Sequence, residues 1–380
     1  MSTLARRGAL CAALLFVATA QAGDGSCERW RQWQQWKDFK RLYLSEDGRV
    51  IDASTPQVIT VSEGQAYAMI FALIANDPAT FVKILRWTQD NMAGGNLARS
   101  LPAWKWGRAE DGRWSVLDRN PAADADLWMT YALAQGARLW HNAGYAQLAH
   151  AMAELILREE VSLIPGLGAT LLPGAKGFVA QQTWRLNASY APIEVLRALE
   201  RSSDERQWAA VLESSQRVIA ASAPRGFAAD WILYRESGGF SADATTAGVG
   251  SYNAIRVYLW AGMLAEGDPQ AASLAQRLKP MAAAAARRPP PASIDTNTLE
   301  TRGEAPPGFL AALLPLLVHF KFTDAVQAYR QRIEAESLKD NQHYYSDALT
   351  LFGLGWLEGR FHFDRHGELH VPWTGPCRAP

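Results

Sequence analysis

Apolar residues recur at three- and four-residue spacing along most of the chain. The period predicts twelve helices, at 28–42, 62–76, 78–92, 123–141, 144–159, 189–201, 204–221, 250–265, 268–286, 306–320, 322–335 and 344–359. Their character alternates. The helix containing Leu127, Trp128, Met129, Tyr131 and Leu133 is apolar almost all round, as is the one carrying Ile255, Val257, Tyr258, Leu259, Trp260 and Met263. Such helices are buried on most sides. The helices that follow are one-sided: Leu148, Met152, Leu155 and Ile156 oppose Glu154, Arg158 and Glu159, Trp208, Leu212 and Ile219 oppose Glu205, Arg206 and Arg217, and Val326, Tyr329 and Ile333 form a third stripe. Six buried helices alternating with six amphipathic ones imply an inner ring wrapped by an outer ring, an all-α (α/α)6 barrel. An open solenoid would also alternate. The chain has no repeat of fixed period and its loops differ greatly in length, which favours closure.

In such a barrel the inner helices run parallel, so their N-termini share one end. Those starts read Ser62-Glu63, Asp124-Ala125-Asp126, Ser189-Tyr190 and Ser251-Tyr252-Asn253. Ser62 and Gln65 have the spacing of a capping box, which puts Glu63 in a first helical turn. A carboxylate there complements the helix dipole for at most about 1 kcal/mol, and for an isolated Glu that is the simpler reading. The loops at this end carry Trp104, Trp106, Trp114 and Trp184, away from helical core spacing, whereas Trp128, Trp260 and Trp356 read as core. Amphipathic indoles suit a binding surface and an interior equally. Residues 160–188, rich in Gly and Pro, read as a long loop ending in short strands. Residues 287–305 form a second loop around Pro289-Pro290-Pro291, and 361–371 reads as a β-hairpin with a His-Gly turn.

Composition narrows the function. With 38 basic and 38 acidic residues the net charge is zero, which excludes the basic footprint of a nucleic-acid binder. Fifteen Trp among 380 residues is an unusual number, and a row of loop tryptophans beside carboxylates is what a polysaccharide cleft needs: sugar C–H faces stack on indole while Asp, Asn, Arg and Tyr take the hydroxyls. Residues 1–22 read as a secretory signal peptide: Arg6-Arg7, an apolar run to Ala20, and the Ala20-Gln21-Ala22 cleavage pattern. That run is too short to span a bilayer, and no later stretch is long and apolar enough. The expected mature protein is therefore residues 23–380, a single exported domain without membrane insertion. Cys11 leaves with the leader. Cys27 and Cys377 remain near the two ends, and in an oxidising compartment they form either one disulfide or two unpaired thiols, the disulfide being the simpler account.

Glycoside hydrolysis needs a protonated carboxyl to donate to the leaving oxygen and a second group acting on water or carbon. Glu63 is the candidate donor. Its helix position opposes the role, because a dipole N-terminus lowers a carboxyl pKa while a general acid needs it raised. Burial or a nearby anion such as Asp124 must outweigh the dipole. Other chemistries lack support. His362, His366 and His370 sit on one hairpin and are not expected to converge as zinc ligands, Pro173-Gly174-Ala175-Lys176-Gly177 lacks phosphate-loop spacing, and no Gly-x-Ser-x-Gly elbow occurs. Neither metal nor cofactor is implied. A helical scaffold for protein partners is the non-enzymatic alternative.

The segments Ser62-Glu63-Gly64-Gln65-Ala66-Tyr67, Trp104-Lys105-Trp106-Gly107, Ala123-Asp124-Ala125-Asp126, Asn187-Ala188-Ser189-Tyr190 and Ser251-Tyr252-Asn253-Ala254-Ile255-Arg256 together resemble glycoside hydrolase family 8, in the family's order and across the mature chain. The likeness is greatest to its periplasmic endo-1,4-β-glucanases of bacterial cellulose synthase operons. It implies an (α/α)6 barrel, inverting hydrolysis of β-1,4-glucan, a periplasmic or secreted location, and the cellulose synthase export machinery as a partner. By position, Glu63 is the implied proton donor. Asp124 is the signature Asp, although Ala123 departs from the family's Ser/Thr. An inverting enzyme forms no covalent intermediate, so the implied task of Asp124 is to grip and distort the central sugar. Tyr190 and Arg256 match positions near the attacking water, and Trp104, Trp106, Trp184 and Asn187 match sugar-binding positions. The family's general-base Asp is here Asn253. An amide cannot accept a proton, and losing a general base costs about 100- to 10,000-fold in rate. Three outcomes stay open: a glucan-binding protein impaired in catalysis, a base supplied by Asp230 or Asp243, or sufficient residual activity.

Overall fold

Twelve helices form in the computed structural model, which describes residues 32–202 and 205–375. They are α1 (Gln34–Tyr43), α2 (Ser62–Ile74), α3 (Pro78–Met92), α4 (Ala123–Trp140), α5 (Ala143–Glu159), α6 (Ile193–Ser202), α7 (Glu205–Ser222), α8 (Ala254–Met263), α9 (Ala271–Arg287), α10 (Pro307–His319), α11 (Thr323–Glu336) and α12 (Tyr344–Leu357). Each expected helix is present, with ends moved by a few residues. The first begins at Gln34, while the leader, residues 28–31, Cys11, Cys27 and Cys377 lie outside the described residues.

The even-numbered helices make the inner ring. From Gly64 to Ile74 every residue of α2 is buried, and α8 and the first ten residues of α10 after its N-terminal Pro are buried throughout. Helices without a polar face can only be surrounded. Contacts run α2–α4–α6–α8–α10–α12 and from α12 back to α2, so the ring closes into an (α/α)6 barrel. The odd-numbered helices bury single stripes against it. Trp36, Phe39 and Tyr43 do so in α1, Met152, Leu155 and Ile156 in α5, and Tyr329 and Ile333 in α11.

The strands decorate this frame. β1 (Thr60–Val61), β2 (Lys105–Arg108) and β3 (Trp114–Asp118) form one antiparallel sheet, and β4 (Val161–Ile164) pairs with β5 (Gly168–Leu171). A four-stranded sheet joins β6 (Val179–Ala180), β7 (Thr183–Leu186), β8 (Ile232–Arg235) and β9 (Gly239–Ala242). Another sheet joins β10 (Val249–Gly250), β11 (Pro291–Asp295) and β12 (Thr301–Glu304), so the proline-rich segment is a hairpin rather than the plain loop its composition suggests. β1 leads directly into α2, β7 into the short turn before α6, and β10 into the turn before α8. Three sheets therefore border the rim where inner helices begin.

The expected C-terminal hairpin is β13 (His362–Phe363) with β14 (Leu369–His370). Phe363 packs on Trp128 and Tyr131, and the Tyr131 hydroxyl donates to the Gly367 carbonyl at 2.7 Å. Gly367 has φ +75°, and a Cβ there would stand 2.0 Å from the Glu194 carbonyl oxygen, so the turn admits only glycine. His362 stacks on His370, while His370, Asp364 and Glu368 bring their polar atoms within 4.8 Å of one another; sequence spacing among the histidines alone hid the carboxylates between them. His366 turns to Arg365. At the chain ends, Trp33 packs edge-on to Phe71 and the Trp373 indole donates to the Ile74 carbonyl, so both meet the C-terminal half of α2.

Candidate active site

The first turn of α8 carries Arg256, 2% exposed, and its guanidinium is the centre of the rim. Nη1 donates to Glu63 Oε2 at 2.5 Å, to Asp124 Oδ2 at 2.6 Å and to the Tyr67 hydroxyl at 3.1 Å. Nη2 donates to Ser189 Oγ at 3.1 Å and Asn253 Oδ1 at 3.0 Å. Residues up to 193 positions apart thus meet on one group, as parallel inner helices require. The planar fork of arginine suits this convergence better than a lysine ammonium.

The helix starts are built differently from the expected capping box. Val61 is the N-cap of α2, and Ser62 Oγ is buried without a partner. Gln65 turns inward instead: its Oε1 accepts from the Val50 N–H at 2.6 Å and its Nε2 donates to Thr88 Oγ1 at 2.8 Å. A fully buried amide surrounded by unpaired backbone groups satisfies more of them there than at the cap. Glu63 keeps its first-turn position. Gly64 beside it has no Cβ, and one there would stand 2.8 Å from the Tyr344 hydroxyl, which reaches Glu63 Oε1 at 3.4 Å.

Burial raises the Glu63 carboxyl most; Arg256 pulls it down, Asp124 pushes it up, and the balance leaves it at about 7 against an ordinary 4.5. Desolvation and a neighbouring anion thus raise this carboxyl in the direction a general acid requires. With 17% of its side chain exposed, Glu63 still reaches the cleft. Asp124, 3% exposed, is fixed further by the Ala125 N–H on Oδ1 at 2.8 Å.

A cleft lies over this cluster, walled by Glu63, Asp124, Tyr190, Asn253 and Arg256 with Trp104 at one side. Trp104 also borders an adjoining groove lined by Gln57, Lys105, Asp111 and Asp118. The other tryptophans divide. A β-bulge between Lys105 and Trp106 breaks strand alternation, and Trp106 stacks on Trp114 at 5.3 Å beneath the Arg49 guanidinium, outside the cleft wall. Trp184 is 7% exposed, packed on Tyr234 in the four-stranded sheet, and takes no part in the wall. Asn187 lies beneath the surface: its Oδ1 accepts from the Ser189 N–H at 3.0 Å and Oγ–H at 2.8 Å, which aims Ser189 at Arg256.

Neither candidate replacement for the base is free. Asp230 Oδ1 accepts three backbone N–H groups, from Ser251, Asn253 and Ala254, and so anchors the start of α8. Burial raises its carboxyl despite those bonds. Asp243 pairs with Arg185 at 3.1 Å and accepts from Thr246; burial opposes ionisation, but these bonds prevail and hold it below the ordinary range. Neither lines the cleft.

Sequence reasoning missed Asp52, Tyr252, Tyr344 and Tyr345, which complete the wall. Tyr344 begins α12, so the rule that inner-helix starts share one rim, applied to the last inner helix, would have found the tyrosine pair. Tyr252 lies within a helix start already placed on that rim but without a role given to it, and Asp52 carries no such signal. Trp231 was also overlooked: it stacks on Phe178 at 6.0 Å, under the Arg185 guanidinium and beside Tyr190.

Residues 7–359 match the model of the family described as glycosyl hydrolases family 8. An endoglucanase of Escherichia coli (strain K12) is 42% identical, with 98% of each chain covered. One from Xanthomonas axonopodis pv. citri (strain 306) is 43% identical over 97% of this chain and 95% of its own. The crystal structure of an endo-1,4-D-glucanase from Vibrio fischeri ES114 superposes with a TM-score of 0.87 at 42% identity, covering 90% of this chain and all of the other. An endo-beta-1,4-glucanase from Acetobacter xylinum gives 0.69 at 27% identity, over 88% of this chain and 98% of the other.

Proposed function

The chain belongs to glycosyl hydrolases family 8, and from that membership and the Arg256 cluster we infer how it works as an endoglucanase. The substrate is a β-1,4-linked glucan lying across the Trp104 side of the cleft. Glu63, protonated near neutral pH, donates to the glycosidic oxygen as the C–O bond breaks. Asp124 holds the sugar at that bond, and Arg256 balances the charge left on Glu63. The observation that carries this reading is the Glu63 carboxyl at about 7 on the cleft wall, because a general acid works best with a pKa near the working pH.

Family membership favours attack by water on the opposite face. Glu63 and Asp124 share Nη1 and so stand no more than about 5 Å apart, a spacing that retaining enzymes use for acid and nucleophile. Glu63 and position 253 sit on the two different terminal nitrogens, no more than about 8 Å apart, an upper limit compatible with the inverting range of about 6.5–9.5 Å. Asn253 orients water there but cannot take its proton, which leaves to solvent, and turnover is slow for that reason. Inversion releases the α-anomer first, visible by proton NMR during hydrolysis of cellopentaose; initial β-anomer would assign Asp124 as nucleophile.

The experiment that tests the assignment is reducing-end release from carboxymethyl cellulose by the protein and by Glu63→Gln. A loss of at least about 100-fold is expected. Unchanged activity in the variant would remove Glu63 from the role, and tight cello-oligosaccharide binding without any turnover would make the protein a glucan binder.

The leader-like residues 1–22 support action in the periplasm, on glucan passing the cellulose export machinery. Both ends of the described chain meet α2, which supports a Cys27–Cys377 disulfide. N-terminal sequencing of the exported protein, expected to begin at Gly23, and a non-reducing peptide map test these two points.

A further inference from the structure

Two carboxyls that the reaction does not use are buried directly behind Asp124. Asp126, in the first turn of α4, and Glu160, the C-cap of α5, are both 0% exposed. Their side chains lie within hydrogen-bonding reach of each other, and apart from the Ala122 N–H, which approaches Asp126, no protein donor reaches the four oxygens. The charged groups facing them are Asp124 from α4 and Glu159 from α5, both acidic, and Glu159 is itself paired with Arg158. The connecting loop contributes Leu172 and Pro173, which carry no charge. Two ionised carboxylates cannot share such a place without a cation or a proton.

The helices decide where a proton would sit. Asp126 is at a helix N-terminus, where the dipole favours an anion, and Glu160 is at a C-terminus, where it disfavours one. The backbone closes a ring around the pair. The Leu172 N–H donates to the Glu160 carbonyl at 2.7 Å, the Ala123 N–H to the Pro173 carbonyl at 3.2 Å, and the Asp126 N–H to the Ala122 carbonyl at 3.0 Å. The carboxyls add a side-chain link between the end of α5 and the start of α4, the turn that presents Asp124.

We propose that Glu160 and Asp126 share one proton, with Glu160 the donor, and that this bond positions the first turn of α4 and Asp124 upon it. Burial, then the neighbouring acidic groups, raise both carboxyls above their ordinary range, in keeping with a retained proton. Loss of the proton at alkaline pH leaves two facing anions and loosens the turn. The role of Asp124 rests on the reading above; the shared proton does not.

The test therefore begins without catalysis. In a Glu63→Gln background, which removes that titration, the infrared carbonyl band of a protonated carboxyl at pH 8 is compared with and without Glu160→Gln, alongside Tm from pH 6 to 10. The shared proton predicts that E160Q diminishes the band and flattens the alkaline fall in Tm; Glu194, also buried and raised to about 8, is common to both proteins. An identical band and identical Tm curves would overturn the proposal. Positioning is then read in the otherwise unaltered enzyme. E160Q, which still donates to Asp126, keeps kcat at pH 6.5 within about threefold, whereas Glu160→Leu loses about tenfold to a hundredfold in kcat with KM little changed, the scale of a small misplacement. Equal kcat in both variants would retain the shared proton and remove its positioning role. If E160L does not fold, the same reading is taken from Asp126→Asn with E160Q, which lacks the charged acceptor and is expected to fall between them.

Discussion

The rim and the core directly below it are made by the same helices and obey different rules. Below, Tyr67, Trp128, Trp260 and Phe352 pack in edge-to-face and tilted pairs with centroids 5.0–6.3 Å apart, all buried. One turn higher, Glu63, Asp124, Ser189 and Asn253 converge on one buried guanidinium. The aromatic layer stabilises through area and shape, so any good packing would serve. The polar layer opposes stability: it desolvates two carboxylates around one cation and holds a proton on Glu63 at a pH where an exposed Glu has lost it. Function sits where the fold works against itself.

Substitutions in the two layers should therefore have opposite signs. Phe352→Ala, in the aromatic layer, is expected to cost about 3–5 kcal/mol in chemical denaturation, with kcat per folded molecule nearly kept. Glu63→Gln, in the polar layer, should do the reverse. The native state holds the Glu63 proton more tightly than the unfolded chain, so stability falls as pH rises from about 4.5 to 7 and stays low above. At pH 8 the variant is expected to be more stable on the order of 3 kcal/mol, and the two proteins should coincide near pH 4. Equal or lower stability of the variant at pH 8 would contradict the opposition of the layers.

Asn253→Asp sharpens the same contrast. Restoring a carboxylate on the cleft wall should raise kcat on cellopentaose about 100-fold while lowering Tm, since it adds an anion beside Glu63 and Asp124. An unchanged rate would assign water activation to another group. The smallest effect separates two tryptophans. Trp104→Ala should raise KM for cellopentaose by about 1 kcal/mol, whereas Trp184→Ala should lower Tm and leave KM alone.

The sequence showed the core far better than the rim, for a physical reason. Burial on all sides leaves a local signature, so α4 and α8 could be read from their own residues. Convergence on Arg256 leaves none, because its partners lie up to 193 positions away; helix direction placed them on one rim, and the family motifs supplied the roles. The failures follow the same line. Ser62 and Gln65 had the right spacing for a capping box, but the pull of unpaired groups at Val50 and Thr88 is invisible locally. Trp104, Trp106 and Trp184 look alike as letters, and a bulge and a sheet face sort them.

The central claim is that burial and Asp124 outweigh both Arg256 and the helix dipole at Glu63. The direct measurement is a carbon-13 NMR titration of Glu carboxyl groups, with Glu63 identified by its absence from Glu63→Gln. A midpoint near pH 7 is the expected result; a midpoint at or below about 4.3, the ordinary glutamate value, would leave the cleft without its acid.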